Sequence, residues 1–270
     1  MKNKYEVAKN IFIDTVDVDA YIELNSSIPV YETLVSSLAK PLKMILLFGK
    51  PGTGKSILLN TLMTRLQKEK EIYYFNTPFS NEKEFFFKFA LILRDKELAN
   101  KSDIDFSDLI GVCRELHGKR EIVILLDEAQ MYTPALMEKI RLLADTRVIK
   151  FVLTLHKTDD EDLIAKEHFT TRIWEIIELK NGTLEDQMQY IRKKLLKENL
   201  SDITENMTEK QNKLMYRFTK GNYRECNKLM FTLFELCVYY SNDEKTKENF
   251  DGITTRLIEM AALKLGYIHA

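Results

Sequence analysis

Gly49-Lys50-Pro51-Gly52-Thr53-Gly54-Lys55-Ser56 holds three of the chain's nine glycines within six residues. It fits G-x-x-x-x-G-K-[ST] at every fixed position. Before it stands Met44-Ile45-Leu46-Leu47-Phe48, a short continuous apolar run that reads as a parallel strand covered on both faces. After it, Leu58, Leu59, Leu62, Met63 and Leu66 recur at helical spacing. Strand, glycine loop and helix form the arrangement that phosphate binding requires. The glycines let successive N–H groups point inward at an anion, and the helix N-terminus adds partial positive charge. Gly49 to Gly54, including Lys50, Pro51, Gly52 and Thr53, are expected to form the cradle. Lys55 should reach the β- and γ-phosphates of a nucleotide, and the Ser56 hydroxyl should ligate Mg²⁺.

A phosphate loop of this kind needs an acidic partner on another parallel strand. Glu121-Ile122-Val123-Ile124-Leu125-Leu126-Asp127-Glu128 supplies it. Its apolar run reads as a buried strand, and two carboxylates follow at the C-terminal end, where open α/β sheets bind ligands. Asp127 is expected to hold the magnesium through its water shell. Glu128 is placed to orient and deprotonate an attacking water. Adjacent acids speak for hydrolysis over nucleotide storage.

The remaining pattern alternates. Ile72–Phe75, Phe151–Leu155 and Ile173–Leu179 read as strands. Phe85–Lys96, Asp105–Leu116 and Pro134–Ala144 read as helices, the first opened by the Asn81-x-x-Glu84 signal. The aromatic group Phe85, Phe86, Phe87 and Phe89 reads as core rather than as a base-stacking platform. Alternation of this kind predicts an α/β domain with a parallel sheet and helices on both faces. Beyond Asn181-Gly182 only helical stretches appear: 184–198, 209–218, 223–240 and 253–265. The expected organisation is an N-terminal arm over 1–27, an α/β nucleotide domain over 28–180 and a small all-helical domain over 181–270. Tyr31–Lys40 reads as a helix leading into the first strand.

Composition excludes several classes. Forty Lys and Arg stand against 41 Asp and Glu, for a formal net charge of −1. No overall basic field therefore draws the chain to nucleic acid or acidic lipid. Three cysteines without a C-x-x-C pair and four scattered histidines give neither a disulfide framework nor zinc-ligand spacing. Buried thiols in a reducing compartment are expected. No apolar window approaches the ~18 residues of a membrane span, and the segment after Met1 lacks the apolar core of a secretory signal. The expected class is a soluble cytoplasmic protein.

The phosphate loop, the strand ending in Asp127-Glu128-Ala129-Gln130 and the helical C-terminal region together resemble the AAA+ P-loop ATPases. Glu138-Lys139-Ile140-Arg141-Leu142-Leu143, Thr171-Arg172-Ile173 and Gly221-Asn222-Tyr223-Arg224-Glu225-Cys226-Asn227 narrow the resemblance to the ATPase module of general secretion pathway A-type proteins. The resemblance implies ATP as nucleotide and a helical lid. It implies a polar sensor after the fourth strand, at His156 or at Thr154 just before it. It implies an arginine finger at Arg172, acting on a neighbouring subunit, and a lid arginine at Arg224 that contacts nucleotide in cis. This chain has Leu155-His156 where the family has Gly-Gln, and Tyr223 where it has Pro.

Three function classes follow. The first is an ATP-hydrolysing motor or switch for a membrane-associated secretion, pilus-like or DNA-uptake assembly. It would form ATP-dependent homo-oligomers and reach the inner membrane through a partner protein. The second is a DNA-bound AAA+ ATPase assisting transposition or replication. The balanced charge and the single small basic cluster Lys193, Lys194 and Lys197 speak against it. The third is a nucleotide-binding scaffold without turnover, against which Glu128 speaks.

Overall fold

The computed structural model describes residues 3–15, 19, 21–95, 98, 103–156, 173–243, 250 and 252–269. It divides into two compact units. One comprises Val30–Lys50 and Lys55–Leu179; the other comprises Met1–Pro29, Pro51–Gly54 and Lys180–Ala270.

The first unit is built on five strands: β1 (Met44–Gly49), β2 (Glu71–Phe75), β3 (Ile122–Leu126), β4 (Ile149–His156) and β5 (Ile173–Glu178). They form one parallel sheet in the order β2-β3-β4-β1-β5. Met44 to Leu47 and all of β3 are buried, as continuous apolar runs demand when both faces are covered. The order has a consequence for the site. The strand that feeds the phosphate loop and the strand that ends in acids are not neighbours; β4 lies between them. Register sets Leu126 beside Leu153 and Gly49 beside His156, so the last residues of β4 stand between loop and acids.

In chain order, the first helices are α1 (Lys4–Ile11), α2 (Ile28–Ala39) and α3 (Lys55–Leu66). The sheet is then flanked by α4 (Glu82–Leu93), α5 (Phe106–Leu116) and α6 (Pro134–Asp145). Asn81 caps α4 by accepting from the Glu84 N–H, and Asp105 and Thr133 cap α5 and α6 in the same way. Helix α4 ends three residues earlier than its pattern predicts. Arg94 turns into the left-handed region there. The Arg120 guanidinium donates to the Ile92 and Leu93 carbonyls while pairing with Glu71 on β2. A second cation works similarly: buried Lys150 donates to the Leu38 and Lys40 carbonyls at 2.6 and 2.8 Å, closing the C-terminus of α2. Phe85 and Phe89 pack at 4.1 Å between ring centres, and Phe89 reaches Phe151 on β4. Phe85, Phe86 and Phe89 belong to the core, but Phe87 is half exposed on the outer side of α4.

The helical unit holds α7 (Leu184–Lys197), α8 (Ser201–Glu205), α9 (Glu209–Thr219), α10 (Tyr223–Asn242) and α11 (Thr255–Lys264). Thr183 with Asp186 and Thr208 with Gln211 form capping boxes at the starts of α7 and α9. Between the helical stretches read at 184–198 and 209–218 lies the short helix α8. Residues near the N-terminus join this unit. Tyr5, Ala8 and Phe12 are buried, with Tyr5 and Phe12 packed on Phe234 of α10. Gly221 has φ +72°, and a Cβ there would lie 1.8 Å from the Gly182 carbonyl, so only glycine fits the turn between α9 and α10. The three cysteine thiols are buried, and burial pushes Cys113 up to about 11 and Cys226 and Cys237 to about 12. Among the described residues no helix is long and apolar enough to cross a membrane.

Candidate nucleotide site

The loop between β1 and α3 takes its shape from two glycines. Gly52 and Gly54 have φ of +80° and +97°, values that side-chain-bearing residues rarely adopt. Thr53, between them, is buried. Lys55 opens α3 and is only 4% exposed. Its ammonium donates to the Gly49 and Lys50 carbonyls at 2.8 and 3.0 Å. The cation is therefore held at the loop. Ser56 follows in the first turn of the helix.

Asp127 is 3% exposed at the end of β3. A buried carboxylate must have its oxygens satisfied, and here neutral donors do so from both sides. Val152 on β4 stands beside Leu125, so Thr154 falls opposite Asp127. The Thr154 hydroxyl donates to Asp127 Oδ1, and the Glu128 N–H donates to the same oxygen at 3.0 Å. On the other side Tyr74 of β2 stands beside Leu125, which makes Asp127 its diagonal neighbour on the same face. Its phenol donates to Asp127 Oδ2 at 3.0 Å and lies 3.3 Å from the Ser56 carbonyl. Burial, and then the charge of Asp127, push the Tyr74 phenol far above the ordinary tyrosine range, so it remains a proton donor.

Glu128 adopts φ +50° and ψ +45°, the left-handed region, directly after the strand. Such a conformation costs a non-glycine residue about 1–3 kcal/mol and persists where neighbours over-determine it. The neighbour here is Thr154, whose Oγ1 accepts from the Glu128 N–H at 2.9 Å. The turn sends the Glu128 side chain to partial exposure, with its Oε1 at 3.8 Å from His156 Nε2.

The structure thus gathers Lys55, Ser56, Asp127, Glu128, Thr154 and His156 at the C-terminal ends of β1, β3 and β4. Neither sensor candidate follows the fourth strand: Thr154 and His156 both lie within β4, which continues to His156. Thr154 holds the acids from within the sheet, and His156 faces Glu128. Arg224 lies in the helical unit, where its Nε donates to Asp14 at 3.0 Å. Arg172 lies outside the described residues. Tyr74 stands outside every sequence motif. The only local signal for it is a polar-tipped aromatic in a strand adjoining the acidic one.

The donor set fits magnesium. Ser56 and Asp127 offer hard oxygens, and Mg²⁺ takes one or two protein oxygens with phosphate and water completing its shell. Among the described residues no group of three or more His, Cys, Asp or Glu gathers as a metal cage.

Residues 40–161 match the model of a family described as an AAA domain. Over those residues the chain is similar to AAA-domain ATPases. Over 107 residues it is 33% identical to the general secretion pathway protein A of Aeromonas hydrophila, a match covering 37% of this chain and 19% of that protein. The chain thus spans about a fifth of that relative's length. Among solved structures, it is similar to the Orc1 protein of Aeropyrum pernix in complex with DNA. The TM-score is 0.63 at 13% identity, over 95% of this chain and 69% of that one. It is also similar to a Walker-type ATPase of Pyrococcus abyssi, with a TM-score of 0.55 at 15% identity, over 88% and 73% of the two chains. Identities this low speak for the AAA+ fold alone.

Proposed function

We propose that this chain is an AAA+ ATPase that binds Mg-ATP on the loop Gly49–Ser56 and hydrolyses it with Glu128 as general base. One observation carries the reading: Asp127 and Glu128 do different things. Asp127 is buried and held by neutral donors, which preserve its charge for a cation. Glu128 is turned out of the strand toward solvent, free to accept a proton. Lys55 reaches from the loop to the β- and γ-phosphates as a fixed positive charge. Ser56 and Asp127 would hold Mg²⁺, which supplies neutralisation of the charge developing on the phosphate oxygens. Glu128 takes a proton from water as its oxygen bonds to the γ-phosphorus and the bond to the β-γ bridging oxygen breaks. His156 orients the Glu128 carboxylate. Arg224 contacts nucleotide from the helical lid, and Arg172 completes the site of a neighbouring copy.

In this reading turnover energises or switches a membrane-associated secretion, pilus-like or DNA-uptake assembly. The identity with general secretion pathway protein A supports that step. The chain works in the cytoplasm as an ATP-dependent homo-oligomer and reaches the inner membrane through a partner protein. Two variants test the chemistry. Lys55→Ala should lose nucleotide binding, measured by titration of a fluorescent ATP analogue. Glu128→Gln should bind ATP normally and fail to release phosphate. Wild-type turnover by Glu128→Gln would remove Glu128 from the role of base. Pull-down from detergent-solubilised membranes tests the partner; recovery of the chain only in DNA-bound fractions would point to the transposition or replication class.

A further inference from the structure

Strand β2 carries two adjacent tyrosines just before its last residue, and their hydroxyls go to different places. Tyr73 on one face meets Glu71 at 3.0 Å, a contact within its own strand. Tyr74 on the other face reaches Asp127 Oδ2 at 3.0 Å and the Ser56 carbonyl at 3.3 Å. Those acceptors belong to the two residues whose side chains fit a magnesium ion. We propose that Tyr74 is a positioning residue for that ion, and the proposal rests on the Mg-ATP reading above. The phenol couples the end of β3 to the first turn of α3, so that the Asp127 carboxylate and the Ser56 hydroxyl are presented as one unit.

The chemistry of the donor favours this role. A lysine or arginine at position 74 would also hold Asp127, but its charge would cancel the charge a divalent cation needs. A phenol fixes the carboxylate plane and leaves the charge in place. Thr154 and the Glu128 N–H act on Oδ1 in the same way, so both oxygens are fixed by neutral groups. Phenylalanine would fill the same space and leave Oδ2 without the Tyr74 donor. Tyr74 touches neither phosphate nor the attacked phosphorus in this account. It acts through Asp127 and the helix start.

The test is nucleotide binding as a function of Mg²⁺, read with a fluorescent ATP analogue. Wild type, Tyr74→Phe, Asp127→Asn and the double variant are compared. Loss of a hydrogen bond to a charged group should raise the half-saturating Mg²⁺ of Tyr74→Phe by about tenfold. Its affinity for the analogue in EDTA should match wild type. On the Asp127→Asn background the same change should have little further effect, because the pair acts as one. An unchanged Mg²⁺ midpoint in Tyr74→Phe overturns the proposal. So does an equal loss in EDTA, which would make Tyr74 a packing residue of the pocket. Nucleotide binding by wild type that ignores Mg²⁺ would instead remove the magnesium site itself. Should Tyr74→Phe not fold, 3-fluorotyrosine at position 74 decides the matter. Its ¹⁹F resonance must move with Mg-ATP and stay put with ATP in EDTA; any other outcome overturns the assignment.

Discussion

Thr154 has one hydroxyl and two duties. It donates to Asp127 and accepts from the Glu128 N–H, and the second bond holds Glu128 in its left-handed turn. Thr154→Val keeps the shape and removes both bonds. A hydrogen bond to a charged group is worth about 1.5–3 kcal/mol, so turnover should fall by about 10–100-fold while ATP affinity at saturating Mg²⁺ changes little, because Lys55 and the loop are untouched. Steady-state phosphate release beside analogue binding measures both; unchanged kcat would mean that the turn at Glu128 is held without Thr154. This residue also shows what sequence can carry. Lys55, Ser56, Asp127 and Glu128 are legible because each sits in a contiguous pattern whose physics is local. The bond from Tyr74 to Asp127 joins residues 53 positions apart. No local spacing encodes it, and it appears only once β2 and β3 pair in register.

At the scale of elements, legibility follows the same division. β1 and β3 are continuous apolar runs, β4 is mostly apolar, and α4, α7 and α10 carry long amphipathic patterns, so each is readable on its own. Residues 4–11 are not. This helix of eight residues is too short to declare itself, and its partners Phe234 and Phe250 lie at the far end of the chain. Its continuation brings Phe12 over a buried cation. Lys194 of α7 is 6% exposed, with its ammonium 5.0 Å from the Phe12 ring and 5.1 Å from Tyr190. Burial is the main cause that pulls Lys194 down to about 8. The unfolded chain holds that proton to about 10.4, so between these values the unfolded state binds more protons and stability rises with pH. Below about pH 8 the charge is carried in both states and the burial penalty stands in full. From pH 7 to 9.5 the Lys194 contribution should add about 2 kcal/mol to stability. Urea melts across that range, compared with Lys194→Met, isolate it. The gain should vanish in the variant, and equal slopes would show that Lys194 is as solvated folded as unfolded.

At the scale of the whole molecule, the strand order was the part no single element could declare. Alternation predicts a parallel sheet, but the placement of β1 between β4 and β5 emerges only from pairing. That order bears on the proposed arginine finger. Ile173, the residue after Arg172, pairs with Met44 at the start of β1, whereas the phosphate loop leaves from Gly49 at its other end. At ~3.3 Å per residue the two ends of β1 stand about 16 Å apart. Ile173 therefore stands near the end of the sheet remote from the loop of its own chain. As the proposed finger, Arg172 acts on phosphate in another copy, through a head-to-tail contact that closes as a ring where the rotation permits. Arginines supplied in trans are worth about 10³–10⁵ in rate in well-studied nucleotide hydrolases. Arg172→Ala should therefore keep its ATP affinity and lose most of its turnover, and wild-type specific activity should climb with protein concentration. Mixing Arg172→Ala with Lys55→Ala makes the decisive comparison, since one brings an intact pocket and the other an intact arginine. Phosphate release above that of either protein alone is the expected result. A mixture no more active than its parts, with wild-type specific activity independent of concentration, would leave Arg172 without a role in the reaction.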